Sequence, residues 1–370
     1  MTTTIGLCLE PLDVLFFRDG RPFSGAARSV SGLPLPQTVA GALRTALLRA
    51  AGCDFRKLGE AMRSGASFPA AVQKACGAES EWIGGLAVRG PWLARRGGSS
   101  DDIELLVAVP AILHREKGDK NRLRRLSPLP NGQLPGWSPP ADRKDLRPLW
   151  LRRLLPTEPA SGYLTARGLE QFLQGNEVAA ANVVPADALY GFDVRTGVGI
   201  ATDRLVAEES QIFGRGFLAL KRDVLLYAEI LLPDGAPGGA IFDEIKTIPL
   251  GGEGRHVLIC RVKPFSWPVV NRDDRQKPLV LLTTPCALKA GWKPRVLDGR
   301  LVSAAVPDSL AFSGWDLALG GPKPTRFAVP AGSVYFLESL PDDWAQTLAE
   351  NDEDRRQGWG CCLTGVWTDE

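Results

Sequence analysis

Residues 14–23 read VLFFRDGRPF, and the fold turns on how this stretch is read. Four apolar residues run straight into Arg18-Asp19-Gly20-Arg21-Pro22, a string that neither a strand nor a helix interior accommodates. Upstream, Ile5, Leu7 and Leu9 alternate with small or polar residues, the period of a strand, with a break at Pro11. Downstream, residues 24–37 are rich in Gly, Ser and Pro and predict a loop. From Thr38 the string TVAGALRTALLRAAG places Val39, Leu43, Ala46, Leu47 and Ala50 on one helical face, with Arg44 and Arg49 off it. Gln37 or Thr38 serves as cap and Gly52 as terminator. The chain opens strand, basic loop, amphipathic helix.

Strand-like stretches at 86–93 and 103–113 predict an antiparallel pair. Between about 114 and 155 the composition shifts. Arg115, Lys117, Lys120, Arg122, Arg124, Arg125, Arg143, Lys144, Arg147, Arg152 and Arg153 outnumber Glu116, Asp119, Asp142 and Asp145, with prolines between and no period. This predicts a basic, loop-rich insertion projecting from a compact body. SGYLTARGLEQFLQG, 161–175, predicts a short helix, and strands are expected at 224–232, 256–262, 278–283 and 333–337. LPDGAPGGA, 232–240, is the best linker in the chain. At 370 residues the chain is long for one core, so two domains are expected, 1–235 and 236–370. Antiparallel hairpins mixed with helices, without regular alternation, predict an α+β class: two ferredoxin-like (RRM-like) domains with the insertion at about 114–155.

A net charge of +2 does not mark a nucleic-acid binder by itself, so such a role requires local clustering of Lys and Arg. The seven cysteines are scattered with no CxxC pair, and His114 and His256 are the two histidines. That argues against a zinc site and a disulfide framework and for reduced thiols. The N-terminus has no basic segment before an apolar core, and the longest apolar run, 105–113, is interrupted by Pro110. A cytoplasmic protein without a membrane span is expected. Neither histidine lies beside a Ser or Cys elbow, and no HExxH or paired-aspartate motif appears, so no catalytic residue and no metal is assigned. GWGCCLTG, 358–365, contains Gly-x-Gly, but only five residues follow and no Gly-Lys-Ser/Thr is present, so no nucleotide cofactor is expected.

The arginine turn alone reads as a hairpin turn with solvated cations. Its downstream neighbours strengthen a binding role: Arg28, Ser29, Ser31, Gln37 and Thr38 lead into a helix N-terminus, and guanidiniums, hydroxyls and backbone N–H groups together suit a phosphodiester. VRTGVGIATDR, 194–204, carries Arg195, Thr196 and Arg204 among glycines; it is either a bulge or tight hairpin, or a backbone that a ligand approaches closely. GRGFLAL, from Gly214, has Arg-Gly-Phe but lacks the further aromatics of an RNA-recognition sheet, so RNA would be met by loops and backbone. Asp13 reads as a turn residue, and the acidic stretch 342–354 as a solvated helix face or docking surface.

Taken in order, LDVLFFRDGRPF, LPLPQTVAGALRTALL, RTGVGIATDR, GGEGR, PKPTRFAVPAGSVYF and the closing GWGCCLTG resemble the RAMP superfamily, and within it the family of third subunits of the Cmr complex, the type III-B CRISPR effector. The likeness runs from Leu12 to Gly365 and leaves out the insertion. It implies a pair of ferredoxin-like domains in a non-catalytic subunit that holds the five-prime tag of the guide RNA. It also implies docking against the large polymerase/cyclase-like subunit and neighbouring RAMP backbone subunits. On this resemblance Arg18 and Arg21 reach the RNA with Arg28, Gln37, Thr38 and Arg44 as neighbours. Arg195 and Arg204 supply a second wall, and Lys323 and Arg326 a third. The superfamily's C-terminal glycine loop often carries Lys or Arg between its glycines; 361–364 supplies none, so that loop reads as structural. The rival within the superfamily is a metal-independent endoribonuclease that processes repeat RNA, for which His256 is the strand-associated base.

Overall fold

The computed structural model describes residues 3–18, 29–98, 102–141, 143–151, 156–200, 203–204, 206–316 and 320–369. The chain forms two compact units, each gathered from three stretches: 1–91, 189–264 and 311–326 in the first, 92–188, 265–310 and 327–370 in the second. The expected cut at 235/236 is thereby corrected.

Sheet pairing gives the reason. In the first unit, strand β1 (Thr3–Pro11) and helix α1 (Pro36–Ala50) are followed by β2 (Ala87–Arg96, which the unit includes as far as Pro91), β3 (Tyr190–Ile200), β4 (Ala207–Leu220), β5 (Val224–Leu232) and β6 (His256–Val262). The strand order is β2-β5-β1-β6, with Thr247–Pro249 outside β6. β1 is antiparallel to both flanking strands, Leu7 standing opposite Ala228 on one side and Arg261 on the other. The glycine-rich stretch 232–240 therefore joins two strands of one sheet and cannot divide domains.

Ile5, Leu7 and Leu9 are buried, as their alternation predicts. α1 starts at Pro36, two residues earlier than expected; proline suits the first helical position because its missing N–H has no intrahelical partner there. Gln37 and Thr38 thus lie in the first turn and not at the cap, which is Leu35. Arg44 corrects the expected helix face: it is only 6% exposed. Its Nη2 lies 3.3 Å from the Leu86 carbonyl oxygen, and its guanidinium stands 5.0 Å from the Phe68 ring centroid. The expectation of thiols throughout is corrected beside the helices Phe55–Arg63 and Phe68–Cys76, where Cys53 and Cys76 form a disulfide. Cys8, Cys260, Cys286, Cys361 and Cys362 remain thiols.

β3 and β4 form a long antiparallel hairpin, Tyr190 opposite Leu220 and Arg195 opposite Arg215. The apolar run 14–17 leaves β1 and lies against β4, Leu15 and Leu218 exchanging two backbone hydrogen bonds of 2.8 Å. The loop of GGEGR packs on the same run: Gly252 N–H donates to the Phe16 carbonyl at 2.8 Å. Gly251 has φ +82°, and a Cβ there would meet the Phe16 carbonyl oxygen and stand 2.8 Å from the Phe17 ring. So the strand end, the hairpin and the glycine loop are fixed to one another.

The second unit holds helices α2 (Ala166–Leu173) and α3 (Asp352–Gln357) and the strands β7 (Lys277–Leu282), β8 (Leu301–Ala305), β9 (Val334–Leu337) and β10 (Cys362–Trp367). The four strands lie antiparallel in the order β8-β9-β7-β10. One face packs Leu279, Leu281 and Phe336 against Phe172; the other packs Val280, Tyr335 and Leu337 with Cys286 and Leu146. Trp359, in the terminal glycine loop, is fully buried, and a Cβ on Gly360 (φ +72°) would come within 2.9 Å of Cys286 Sγ.

The predicted projecting insertion is corrected as well. Leu113–Glu116 and Asp119–Arg125 form a hairpin of the second unit, and Leu123 and Leu146 are core residues. Its cations are held at home: Arg124 pairs with Glu116 at 3.3 Å, Arg143 with Asp298 at 3.0 Å and Arg147 with Asp369 at 2.7 Å. Arg125 donates to the carbonyls of Phe172 and Val366 and lies over the Phe172 ring; burial pushes its pKa down to about 10, leaving it cationic at neutral pH. Basic composition here ties a folded unit together. Arg152 and Arg153 lie outside the described residues. Among the described residues, no helix is long and apolar enough to cross a membrane.

Three substitutions test this packing by chemical denaturation. Leu146→Ala lowers stability by about 2–4 kcal/mol as a core truncation; no change would return this stretch to a projecting insertion. Gly254→Ala costs about 1 kcal/mol for its positive φ, whereas Gly251→Ala costs about 3 kcal/mol or more because backbone also blocks its Cβ. Equal effects would contradict the described packing of the loop on Phe16.

Candidate nucleic-acid interface

Alternation along a strand puts residues two apart on one face, and directly opposed residues share that face. The β3–β4 register places Asp193 opposite Phe217 and Arg195 opposite Arg215, so these four side chains stand together. Phe16 comes from the run laid against β4, and its ring centroid lies 5.2 Å from that of Phe217, the planes tilted by 49°. Both rings are buried.

Three guanidiniums cover this pair. Arg195 stands 5.1 Å and Arg255 4.9 Å from the Phe217 centroid, and Arg215 6.0 Å from that of Phe16. The ring faces attract cations, and stacking leaves the edges of each guanidinium to form hydrogen bonds. Carboxylates take some of those edges. Arg255 Nη1 lies 2.7 Å from Asp13 Oδ2, and Arg195 Nη2 lies 3.8 Å from the same oxygen and 2.7 Å from Asp193 Oδ2. Arg215 pairs with Glu253. Arg18, the residue after Phe17, is exposed. The result is a face of four arginines and three carboxylates on two aromatic rings, nearly neutral overall, at the end of an apolar strand.

The sequence-expected residues distribute unevenly. Arg18 and Arg195 belong to this neighbourhood. Arg204 is exposed on the turn of the hairpin and pairs with Asp203 at 3.3 Å. Gln37 and Lys323 are brought together by the segment 311–326: Gln37 Nε2 donates to the Ser313 carbonyl at 2.8 Å, and the Ser313 hydroxyl donates to the Lys323 carbonyl at 2.7 Å. Thr38 follows in the same first turn and is half-buried. Arg326 is exposed, its guanidinium 5.5 Å from the Phe312 ring centroid. Arg44 stands apart, since its burial leaves no surface for a phosphate. Arg21 and Arg28 lie outside the described residues. Ser31 is buried and structural, its hydroxyl accepting from Phe17 N–H at 2.9 Å and donating to the Gly32 carbonyl at 3.0 Å.

Arg215, Arg255, Phe217, Asp13 and Glu253 were not among the expected contacts. GGEGR and GRGF were visible as strings; what was missing is the pairing of 193–217 that stacks them. His256, next to Arg255, is exposed, with Nδ1 2.9 Å from the Gly254 carbonyl oxygen, a bond that places the ring proton on Nδ1. His114 lies in the second unit 3.4 Å from Thr157 Oγ1, and burial holds its pKa below the ordinary histidine value. Among the described residues no group of His, Cys, Asp and Glu could hold a metal ion.

Relatives align with this architecture over most of its length. A chain of a type III-B Cmr-beta complex, seen by cryo-electron microscopy bound to cognate target RNA and AMPPnP, superposes with a TM-score of 0.52 at 16% identity, covering 90% of this chain and 86% of that one. A second Cmr-beta structure, bound to cognate target RNA, gives a TM-score of 0.49 at 16% identity over the same shares. At this identity the first likeness shows a shared fold. No curated relative matches the chain. Residues 7–367 match the family model described as CRISPR-associated protein (Cas_Cmr3), nearly the whole sequence, and the chain belongs to that family.

Proposed function

We propose that this chain is a non-catalytic, RNA-binding subunit of a type III-B CRISPR effector complex working in the cytoplasm. It holds the five-prime tag of the guide RNA and docks the large polymerase/cyclase-like subunit and neighbouring RAMP backbone subunits. The family membership and the fold shared with a chain of an RNA-bound Cmr-beta complex support this reading. The strand orders support two ferredoxin-like domains. In β2-β5-β1-β6 and in β8-β9-β7-β10 the first strand lies between the third and fourth, with the second outside the third. In the second unit a single turn of 3-10 helix, Arg295–Leu297, stands where the first helix would be.

The observation that carries the RNA assignment is the set of guanidiniums held over Phe16 and Phe217 beside exposed Arg18. Single-stranded RNA offers phosphates every nucleotide and base faces that stack on such planes. Gln37, Thr38 and Lys323 form a second polar group in the same unit, with Arg204 and Arg326 on exposed positions.

The test is a mobility-shift assay of the purified chain, with and without the large partner, on guide RNA bearing a native or scrambled five-prime tag, in magnesium and in EDTA. The expected result is a tag-dependent shift with the RNA intact. Arg18→Ala and Arg255→Ala each weaken binding to all RNAs alike and lower the salt slope by about 0.7, as loss of one phosphate contact to a single strand requires. Cleavage at a defined position that disappears in His256→Ala would replace this reading with the endoribonuclease.

A further inference from the structure

We infer that Asp13 is a built-in stand-in for an RNA phosphate: its carboxylate occupies the guanidinium edges that the backbone of the guide would use, and it sets the threshold for binding. This rests on the RNA-binding reading above. Asp13 lies just beyond β1, where the chain turns into the apolar run. Its Oδ2 lies 2.7 Å from Arg255 Nη1 and 3.8 Å from Arg195 Nη2, so one anionic oxygen bridges two arginines that stack on the same Phe217 ring. A phosphate oxygen makes the same pair of contacts, because carboxylate and phosphate both meet guanidinium edges.

Asp13 is the carboxylate suited to leave. Its side chain is 54% exposed, and no backbone N–H holds it among the described hydrogen bonds. An ion pair this exposed is worth little net, because water and salt screen it. The guanidiniums do not depend on it alone for their positions: both lie over Phe217, and Arg195 keeps its 2.7 Å contact with Asp193. Exchange of Asp13 for a phosphate therefore costs the protein little. The uncomplexed site stays nearly neutral, which disfavours adventitious polyanions; a phosphate backbone that fits can displace the carboxylate.

Asp13→Asn isolates the charge, since the amide oxygen still accepts from Arg255. Binding of fluorescently labelled guide RNA to the full chain is measured by anisotropy from 50 to 300 mM KCl for the parent, Asp13→Asn, Arg255→Ala and the double variant. Removing one negative charge roughly 5–6 Å from the phosphate tightens binding about three- to fourfold at low salt. It also steepens the salt slope, and the gain shrinks in the Arg255→Ala background because the displaced pair is already broken. If Asp13→Asn binds equally or more weakly while Arg255→Ala weakens binding, the carboxylate aligns the arginine and does not compete; the inference then fails and the RNA-binding reading stands. If neither Arg18→Ala nor Arg255→Ala alters RNA binding, the reading itself fails and takes the inference with it.

Discussion

The first unit depends on one constraint: β1 is hydrogen-bonded along both edges by strands that arrive more than two hundred residues later. Leu7 stands between Ala228 and Arg261, so the N-terminal strand completes its sheet only when β5 and β6 return to it. That closure dictates where the chain goes next. Leaving β1 beside β6, the apolar run 14–17 has the glycine loop of 251–255 on one side and β4 on the other. Phe16 therefore rests on Phe217. A site of residues drawn from 13–18, 193–217 and 253–255 is the consequence of that one pairing pattern.

The electrostatics of the site follow from its mixture of aromatics and carboxylates. Stacking on a ring attracts a guanidinium by about 0.5–1 kcal/mol at an exposed position, and an exposed ion pair adds a comparable or smaller amount. Neither is strong, but together they hold side chains that would otherwise lose several torsional freedoms on meeting a ligand. The acidic residues that do this also lower the local charge. Orientation is thus obtained at the expense of attraction, which on the proposed RNA-binding reading favours one polyanion over others.

Much of this was legible in the sequence and some was not. The strand at 5–9, the helix of 36–50, the strands near 224–232 and 256–262 and the α+β class come from local period and punctuation, which do not require knowledge of distant partners. Arg44 was misplaced because helical spacing puts it at the border of the apolar stripe; the Leu86 carbonyl and the Phe68 ring, from elsewhere in the chain, take it inside. The stretch 114–155 misled because basic composition usually means solvent, whereas here Arg124, Arg125, Arg143 and Arg147 meet carboxylates and carbonyls of their own unit. The domain cut failed at 232–240 because glycine and proline mark a turn equally well inside a sheet. In the site, Arg18 and Arg195 could be singled out from neighbouring residues. Arg215 and Arg255 could not, since their significance lies in the rings they cover.

The most direct measurement is photocrosslinking of guide RNA carrying 4-thiouridine in its five-prime segment to the full chain, with the attached peptides read by mass spectrometry. Crosslinks are expected on peptides containing Phe16–Arg18, Arg195–Thr196 and Glu253–His256, all in the first unit. Crosslinks confined to the basic stretch of the second unit, 114–151, would contradict the assignment of this face to RNA.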